Sequence, residues 1–254
     1  MIPGWPVALT VAGSDSGGGA GMEADLKTFQ AFGVWGTAAV TAVTAQNHRG
    51  VLASALVAPA MVAAQMEAVA EMAPVGAWKT GMLGDSAVIE AVADAMERLA
   101  LGPLVVDPVQ AASRGGSLLE AGALPILADR LLPGCTVFTP NLPEAEAFLG
   151  QPISSRADMP EAAAALARLG PESVLLKGGH LEGPEAPDLV WTPGGATWLE
   201  GPRLPAAHSH GTGCTLSAAV TAGLARGLPV VEACRAARDY VRLAISALVP
   251  PGSA

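Results

Sequence analysis

The stretch from Ala8 to Lys27 reads ALTVAGSDSGGGAGMEADLK. It decides the fold because three local signals follow one another without a spacer. An apolar, β-branched run over Val7 to Ala12 predicts a buried strand, the glycine cluster GSDSGGGAG predicts a turn, and the alanine-rich segment from Met22 to Phe32 predicts a helix. That is the opening of a βα unit. The cluster fails both usual nucleotide-loop templates. A G-x-x-x-x-G-K-[ST] frame from Gly13 needs lysine where Gly19 stands, and a G-x-G-x-x-G frame from Gly17 needs glycine where Met22 stands. Two readings remain: a flexible turn, or a loop whose missing side chains let a substrate approach the backbone. Asp25 either points into that site or lies in the first turns of the helix.

The same alternation continues along the chain. Strands are expected near Ala38 to Thr44, Ala77 to Thr80, Leu104 to Asp107, Thr136 to Thr139 and Val174 to Lys177. Helices are expected near Pro59 to Met72, Ser86 to Leu99, Leu124 to Leu132, Pro143 to Leu149 and Met159 to Leu169. DLVWTPGGATWLEGP reads as a hairpin turning at Pro193, Gly194 and Gly195, and two helices follow, Cys214 to Arg226 and Val230 to Leu248. The pattern predicts one α/β domain with a central, mostly parallel sheet flanked by helices. No repeat or polar linker marks a boundary within the 254 residues.

Composition narrows the function. With 14 basic and 23 acidic residues the formal charge is -9, which argues against a surface that grips nucleic acid or an anionic membrane. Three cysteines without a C-x-x-C pair suggest neither a disulfide framework nor a zinc site and point to a reducing cytoplasm. No basic residue precedes Lys27, so the first residues lack the flank of a signal peptide. VLASALVAPAMVAA, broken by Pro59, falls short of the roughly 18 apolar residues a membrane span needs.

Each expected strand is followed by a polar or glycine-rich cluster: GSDSGGGAG, AQN, KTGM, DPV, TPNLPE and KGGH. In an open parallel sheet these emerge at the carboxyl edge, where ligands bind. Lysine occurs only at Lys27, Lys79 and Lys177, and the last two fall at strand ends suited to phosphate contact. Asp107, Asn141 and Glu144 supply oxygen ligands of the kind Mg²⁺ takes. Alternatively, Asp107 forms a turn before Pro108 and Glu144 complements a helix N-terminus. In HGTGCT, Gly211, Thr212 and Gly213 precede a helix, whose opening N–H groups and dipole favour an anion. The same setting predicts a lowered pKa for Cys214, against the alternative of a small packing residue.

In combination these motifs closely resemble the hydroxymethylpyrimidine and phosphomethylpyrimidine kinases of thiamine biosynthesis, in the ribokinase-like superfamily. The resemblance runs in order from ALTVAGSDSGGGAGMEADLKTFQAFGVWGTAAVTAVTAQN through KTGML, VVDPV, TPNLPEAE and LLKGGH to HGTGCTLSAA. It implies transfer of the ATP γ-phosphoryl group to the pyrimidine's hydroxymethyl group and then to the monophosphate, in a single-domain protein that forms a homodimer. It further implies that Gln46 hydrogen-bonds the aminopyrimidine edge, with Gly13, Asp25 and Met82 nearby. Asp107 and Glu144 would organise Mg²⁺, Asn141 and Lys177 would lie near the nucleotide, and Gly211, Thr212 and Gly213 would form the anion hole. Many members of the wider superfamily carry aspartate as general base where this chain has Cys214, and cysteine is the pattern of this kinase branch.

One departure is DPVQAASRGGS, where the family more usually reads a lysine and then Ser-Gly after DPV; Arg114 is the available replacement cation. A pyridoxal kinase is the nearest alternative, since related folds phosphorylate another hydroxymethyl heteroaromatic. A sugar kinase fits less well because cysteine replaces the expected aspartate. A non-catalytic pyrimidine or phosphate sensor would have no need of a metal and a base.

Overall fold

All six residues of β1 (Val7–Ala12) are buried, as expected of a strand with helices on both faces. The structure, a computed structural model, describes residues 4–47, 50–111, 116, 118–204 and 210–247. Arg114 lies outside the described residues. From β1 the chain enters α1 (Gly21–Ala31), β2 (Trp35–Val40), β3 (Ala42–Asn47), β4 (Gly50–Leu56) and α2 (Pro59–Met72). Then come β5 (Ala77–Thr80), α3 (Ser86–Arg98), β6 (Leu104–Val106), α4 (Ala123–Arg130), β7 (Val137–Phe138), α5 (Leu142–Leu149), α6 (Met159–Ala167) and β8 (Ser173–Leu176). The hairpin β9 (Asp188–Thr192) and β10 (Gly195–Leu199) precedes α7 (Thr212–Ala225) and α8 (Val230–Ala247).

One sheet of eight strands has the order β10-β9-β8-β7-β6-β5-β1-β2. Pairing is parallel from β2 through β8 and antiparallel at β8–β9 and β9–β10, so the expected mostly parallel sheet with a terminal hairpin is present. Alternate residues of each strand feed two apolar layers. Leu104 and Val106 pack with Val62, Ile89, Val92, Leu127 and Met159 on one face. Val105, Val137 and Leu175 pack with Leu216, Val220 and Cys234 from α7 and α8 on the other. Truncating a fully buried residue such as Leu9 to alanine would cost about 2–5 kcal/mol.

The topology chooses the place for a site. From β1 the chain moves outward to β2 and later returns on the other side as β5, so β1 and β5 flank a switch in strand order. Loops leaving neighbouring carboxyl ends in opposite directions open a crevice there. Gly13 leaves β1 and Gly81 leaves β5 at that point, with Gly81 N–H donating to Val11 O at 2.9 Å.

The segment expected as one strand over Ala38 to Thr44 is two strands in different sheets. Thr41 breaks it: its N–H donates to Ala12 O at 3.0 Å and its hydroxyl to Met82 O at 2.6 Å. Beyond Thr41, β3 pairs with β4 as a separate antiparallel ribbon with an irregularity at Ala45 and Gln46. The AQN cluster therefore reaches the crevice from this ribbon, and β4 is an element that the sequence pattern does not predict.

Candidate active site

A cavity of about 740 Å³ opens at the β1/β5 switch, and it is lined by Cys214 and by the eleven residues to which the resemblance gives a substrate, nucleotide, metal or anion role. They come from the segments that follow five strands of the main sheet, α1 and the start of α5 included, from the β3 ribbon and from the start of α7.

On one wall stand two carboxylates and a lysine. Asp107, at the end of β6, lies 3.3 Å from Lys177 Nζ, and Glu144 lies 3.6 Å from the same nitrogen. Ser217 on α7 donates its hydroxyl to Asp107 Oδ2 at 3.0 Å. Burial pushes the Asp107 carboxyl up, but Lys177, Lys79 and the Ser217 hydroxyl hold it below its ordinary value. Glu144 goes the other way: burial, reinforced by the Asp107 charge, outweighs Lys177 and raises it. Lys177 stays protonated because the two carboxylates outweigh its desolvation. Glu144 also belongs to a capping box, accepting from Asn141 N at 2.7 Å while Asn141 Oδ1 accepts from Glu144 N at 2.9 Å. The cap reading is realised, and it fixes Glu144 facing Lys177. No group of three or more His, Cys, Asp or Glu residues is placed to hold a metal by itself among the described residues. Two hard carboxylates still suit Mg²⁺, which takes few protein ligands and completes its shell with water and substrate phosphate.

The start of α7 faces this wall. Gly211 has φ 80°, and a Cβ there would collide with the carbonyl oxygen of Gly19, so the turn requires glycine. A Cβ on Gly213 would lie 3.7 Å from Lys177 Nζ and 4.0 Å from Asp107 Oδ2, which sets the first helical turn against the charged groups. Beneath it, Lys79 Nζ lies 2.7 Å from Asp25 Oδ1, and Thr10 donates its hydroxyl to Asp25 Oδ2 at 2.6 Å. Asp25 lines the cavity with both oxygens engaged by the protein, which makes it the partner of Lys79.

Cys214 corrects a sequence expectation. The helix start suggested a thiolate, but burial pushes the thiol up to about 11, with Asp25 and Asp107 adding to the rise and Lys79 only partly opposing it. At neutral pH the group is a thiol, the Gly21 backbone opposing the rise only slightly.

At the opposite end, a Cβ on Gly13 would come within 3.0 Å of Met82 Sδ and 3.5 Å of Ala42 Cβ, leaving a narrow apolar slot. Gln46 closes it. Its backbone N–H donates to the Ser16 hydroxyl oxygen at 2.8 Å, and that hydroxyl donates in turn to Gln46 O at 2.8 Å. His210 Nε2 lies 3.4 Å from the Gln46 amide nitrogen and 3.0 Å from Asp15 Oδ2. Asp15 accepts in addition from Gly17, Gly19 and Ala20 N–H groups. Burial raises its carboxyl, and His210 together with these N–H groups more than reverses that, leaving it below the ordinary value.

A family model described as phosphomethylpyrimidine kinase matches residues 15–254. The chain belongs to the phosphomethylpyrimidine kinase family. It is 48% identical over 242 residues to the hydroxymethylpyrimidine/phosphomethylpyrimidine kinase of Rhizobium meliloti (strain 1021), covering 95% of this chain and 91% of that one. The crystal structure of phosphomethylpyrimidine kinase from Clostridium difficile 630 has 39% identity and a TM-score of 0.84, covering 94% of this chain and 99% of that one. An ADP complex of Bacillus subtilis pyridoxal kinase superimposes with a TM-score of 0.88 at 36% identity, covering 98% of this chain and 94% of that one.

In this member of the phosphomethylpyrimidine kinase family, several residues that line the cavity or hold its walls carry no signal that the motifs above singled out. Asp15 stands inside the first glycine cluster, yet its partner His210 is 195 positions away. Ser217 had a usable signal, since it follows Gly213 by one helical turn and its hydroxyl lies 3.1 Å from Gly213 O. Asp188, in the hairpin, accepts from Gly178 N at 2.9 Å and from Arg238 Nε at 3.0 Å, which anchors the KGGH loop to α8.

Proposed function

We propose that the chain transfers the ATP γ-phosphoryl group to 4-amino-5-hydroxymethyl-2-methylpyrimidine and then to its monophosphate, in thiamine biosynthesis. The observation that carries this reading is the approach of Gly213 to Lys177 and Asp107 beside Cys214, in a chain of this kinase family. Phosphoryl transfer asks for alignment and charge stabilisation more than for covalent chemistry. In this reading Gln46 binds the aminopyrimidine edge, and Gly13 and Met82 hold the ring in the narrow slot. Lys79, held charged by Asp25, and the Gly211–Gly213 turn stabilise the charge that develops on the transferring group. Lys177 and Asn141 attend the nucleotide phosphates. Asp107 and Glu144 would hold Mg²⁺, which when bound neutralises phosphate charge.

Cys214 faces the acceptor hydroxyl. Its thiol state at neutral pH favours positioning of that hydroxyl, with the proton lost late, as a loose transition state allows. The three cysteines are free, which fits a reducing cytoplasm, and no described helix is long and apolar enough to cross a membrane. A homodimer would cover the exposed Val43, Leu52 and Leu56 on the β3–β4 ribbon. Likeness to pyridoxal kinases supports pyridoxal as a second acceptor. Comparing kcat/KM for the pyrimidine and for pyridoxal tests the assignment: a higher value for the pyrimidine is expected, and preference for pyridoxal would overturn it.

A further inference from the structure

Gln110 lies on the loop after β6, three positions beyond Asp107, and lines the cavity. Its Nε2 is buried and has no hydrogen-bond partner among the described residues, where Thr80 Oγ1 is the other such side-chain atom. Leaving a buried amide donor unpaired costs about 1–3 kcal/mol. A donor kept unpaired in the wall of a ligand cavity is accounted for when the ligand supplies the acceptor, because the cost is then recovered only in the complex.

The surrounding contacts put Gln110 at the acceptor end. Leu118 N–H donates to Gln110 O at 2.8 Å, Leu119 forms a parallel bridge with Gly84, and Glu120 N–H donates to Gly84 O at 2.8 Å. Gly84 lies two positions beyond Met82, whose sulfur packs against Gly13. The terminal torsion of a glutamine is broad and roughly two-fold, so its amide turns from the wall into the cavity at small cost. The charged donors nearby are already matched, Lys79 to Asp25 and Lys177 to Asp107 and Glu144.

We propose that Gln110 is a specificity-determining residue whose side-chain amide donates a hydrogen bond to the alcohol substrate, an inference that rests on the phosphoryl-transfer reading above. The substrate atom that receives it is either a pyrimidine ring nitrogen or, in the second reaction, a phosphate oxygen. Both are hydrogen-bond acceptors, and the two substrates separate them.

The test uses Gln110→Met, which keeps most of the volume and removes the donor, and Gln110→Glu, which keeps the shape and replaces the donor by an acceptor. For each, KM and kcat are measured with the pyrimidine alcohol, with its monophosphate and with ATP, and the melting temperature is measured with and without the alcohol. Both variants should raise the acceptor KM by about 5- to 150-fold, the loss of 1–3 kcal/mol, with the ATP KM nearly unchanged. Gln110→Met should melt no lower than the wild type without ligand, because an unpaired donor has been removed, and should lose the extra stabilisation given by the alcohol. An effect on both acceptors assigns the bond to the ring, and one confined to the monophosphate assigns it to the phosphate. An unchanged acceptor KM, an equal rise for ATP, or a lower melting temperature without ligand would overturn the proposal. The wild-type enzyme in the same assay judges the underlying reaction separately, since its failure to phosphorylate either pyrimidine would remove the reading on which Gln110 depends.

Discussion

Lys79 Nζ sits 2.7 Å from Asp25 Oδ1, and both side chains are fully excluded from solvent. The two come from β5 and α1, so the pair ties the helix that follows β1 to the strand on the other side of the sheet's switch point. Burial would depress the ammonium pKa, but Asp25, followed by Cys214 and Asp107, raises it and keeps Lys79 charged. Asp25→Ala leaves that charge uncompensated and should destabilise the protein by about 3–5 kcal/mol in urea unfolding. Replacing both residues together, as Asp25→Leu with Lys79→Met, should recover a large part of the stability while leaving the enzyme inactive. A stable single variant would contradict this account of the pair.

Cys214 offers a test of proton transfer against positioning. With its pKa near 11, the thiol should react slowly with iodoacetamide at pH 7.5 and progressively faster as the pH rises towards that value. Loss of a general base typically costs about 10²–10⁴-fold in turnover, whereas positioning predicts that Cys214→Ser stays within about tenfold of the wild type and Cys214→Ala falls lower. Equal, large losses in both variants, with a pH-dependent rise in kcat present only in the wild type, would assign proton removal to the sulfur.

Gly211→Ala probes the turn that opens α7. The added Cβ meets the Gly19 carbonyl oxygen at φ 80°, so backbone strain and steric conflict coincide. The expected result is a loss of at least about 1–3 kcal/mol in stability together with a large fall in kcat. A variant with wild-type melting and turnover would show that the two loops separate freely.

Glu144→Gln keeps an oxygen for the Asn141 N–H and removes the charge beside Lys177. Melting should therefore change little, while the Mg²⁺ concentration giving half-maximal rate should rise by about tenfold or more, since a carboxylate is the stronger ligand for this hard cation. An unchanged Mg²⁺ requirement would leave Glu144 with capping alone.

Much of this architecture was legible because parallel βα units write themselves locally. VALTVA and SVLL are short, mostly apolar runs, and with AWKT the structure buries them on both faces, while helices such as Pro59–Met72 carry their own boundaries. The break at Thr41 was not legible. Val40, Thr41 and Ala42 continue one β-prone run, and only hydrogen bonds to Ala12 and Met82, distant in sequence, divide it between two sheets.

The site followed the same division. HGTGCT announces a helix start, which draws a cysteine towards thiolate, but desolvation depends on what packs above it, and burial reversed the direction. The pairing of His210 with Asp15 and of Lys79 with Asp25 likewise depends on elements far apart in the chain. Local spacing finds the carriers of chemistry; tertiary burial sets their charge states.

The proposed activity is successive phosphorylation of one pyrimidine at one site. The direct measurement is a time course with purified protein, ATP, Mg²⁺ and 4-amino-5-hydroxymethyl-2-methylpyrimidine, with products identified by mass and by ³¹P NMR. The monophosphate should appear first and be converted to the diphosphate, with one ATP consumed at each step. ATP-dependent binding of the pyrimidine without either product, or phosphorylation of pyridoxal alone, would contradict it.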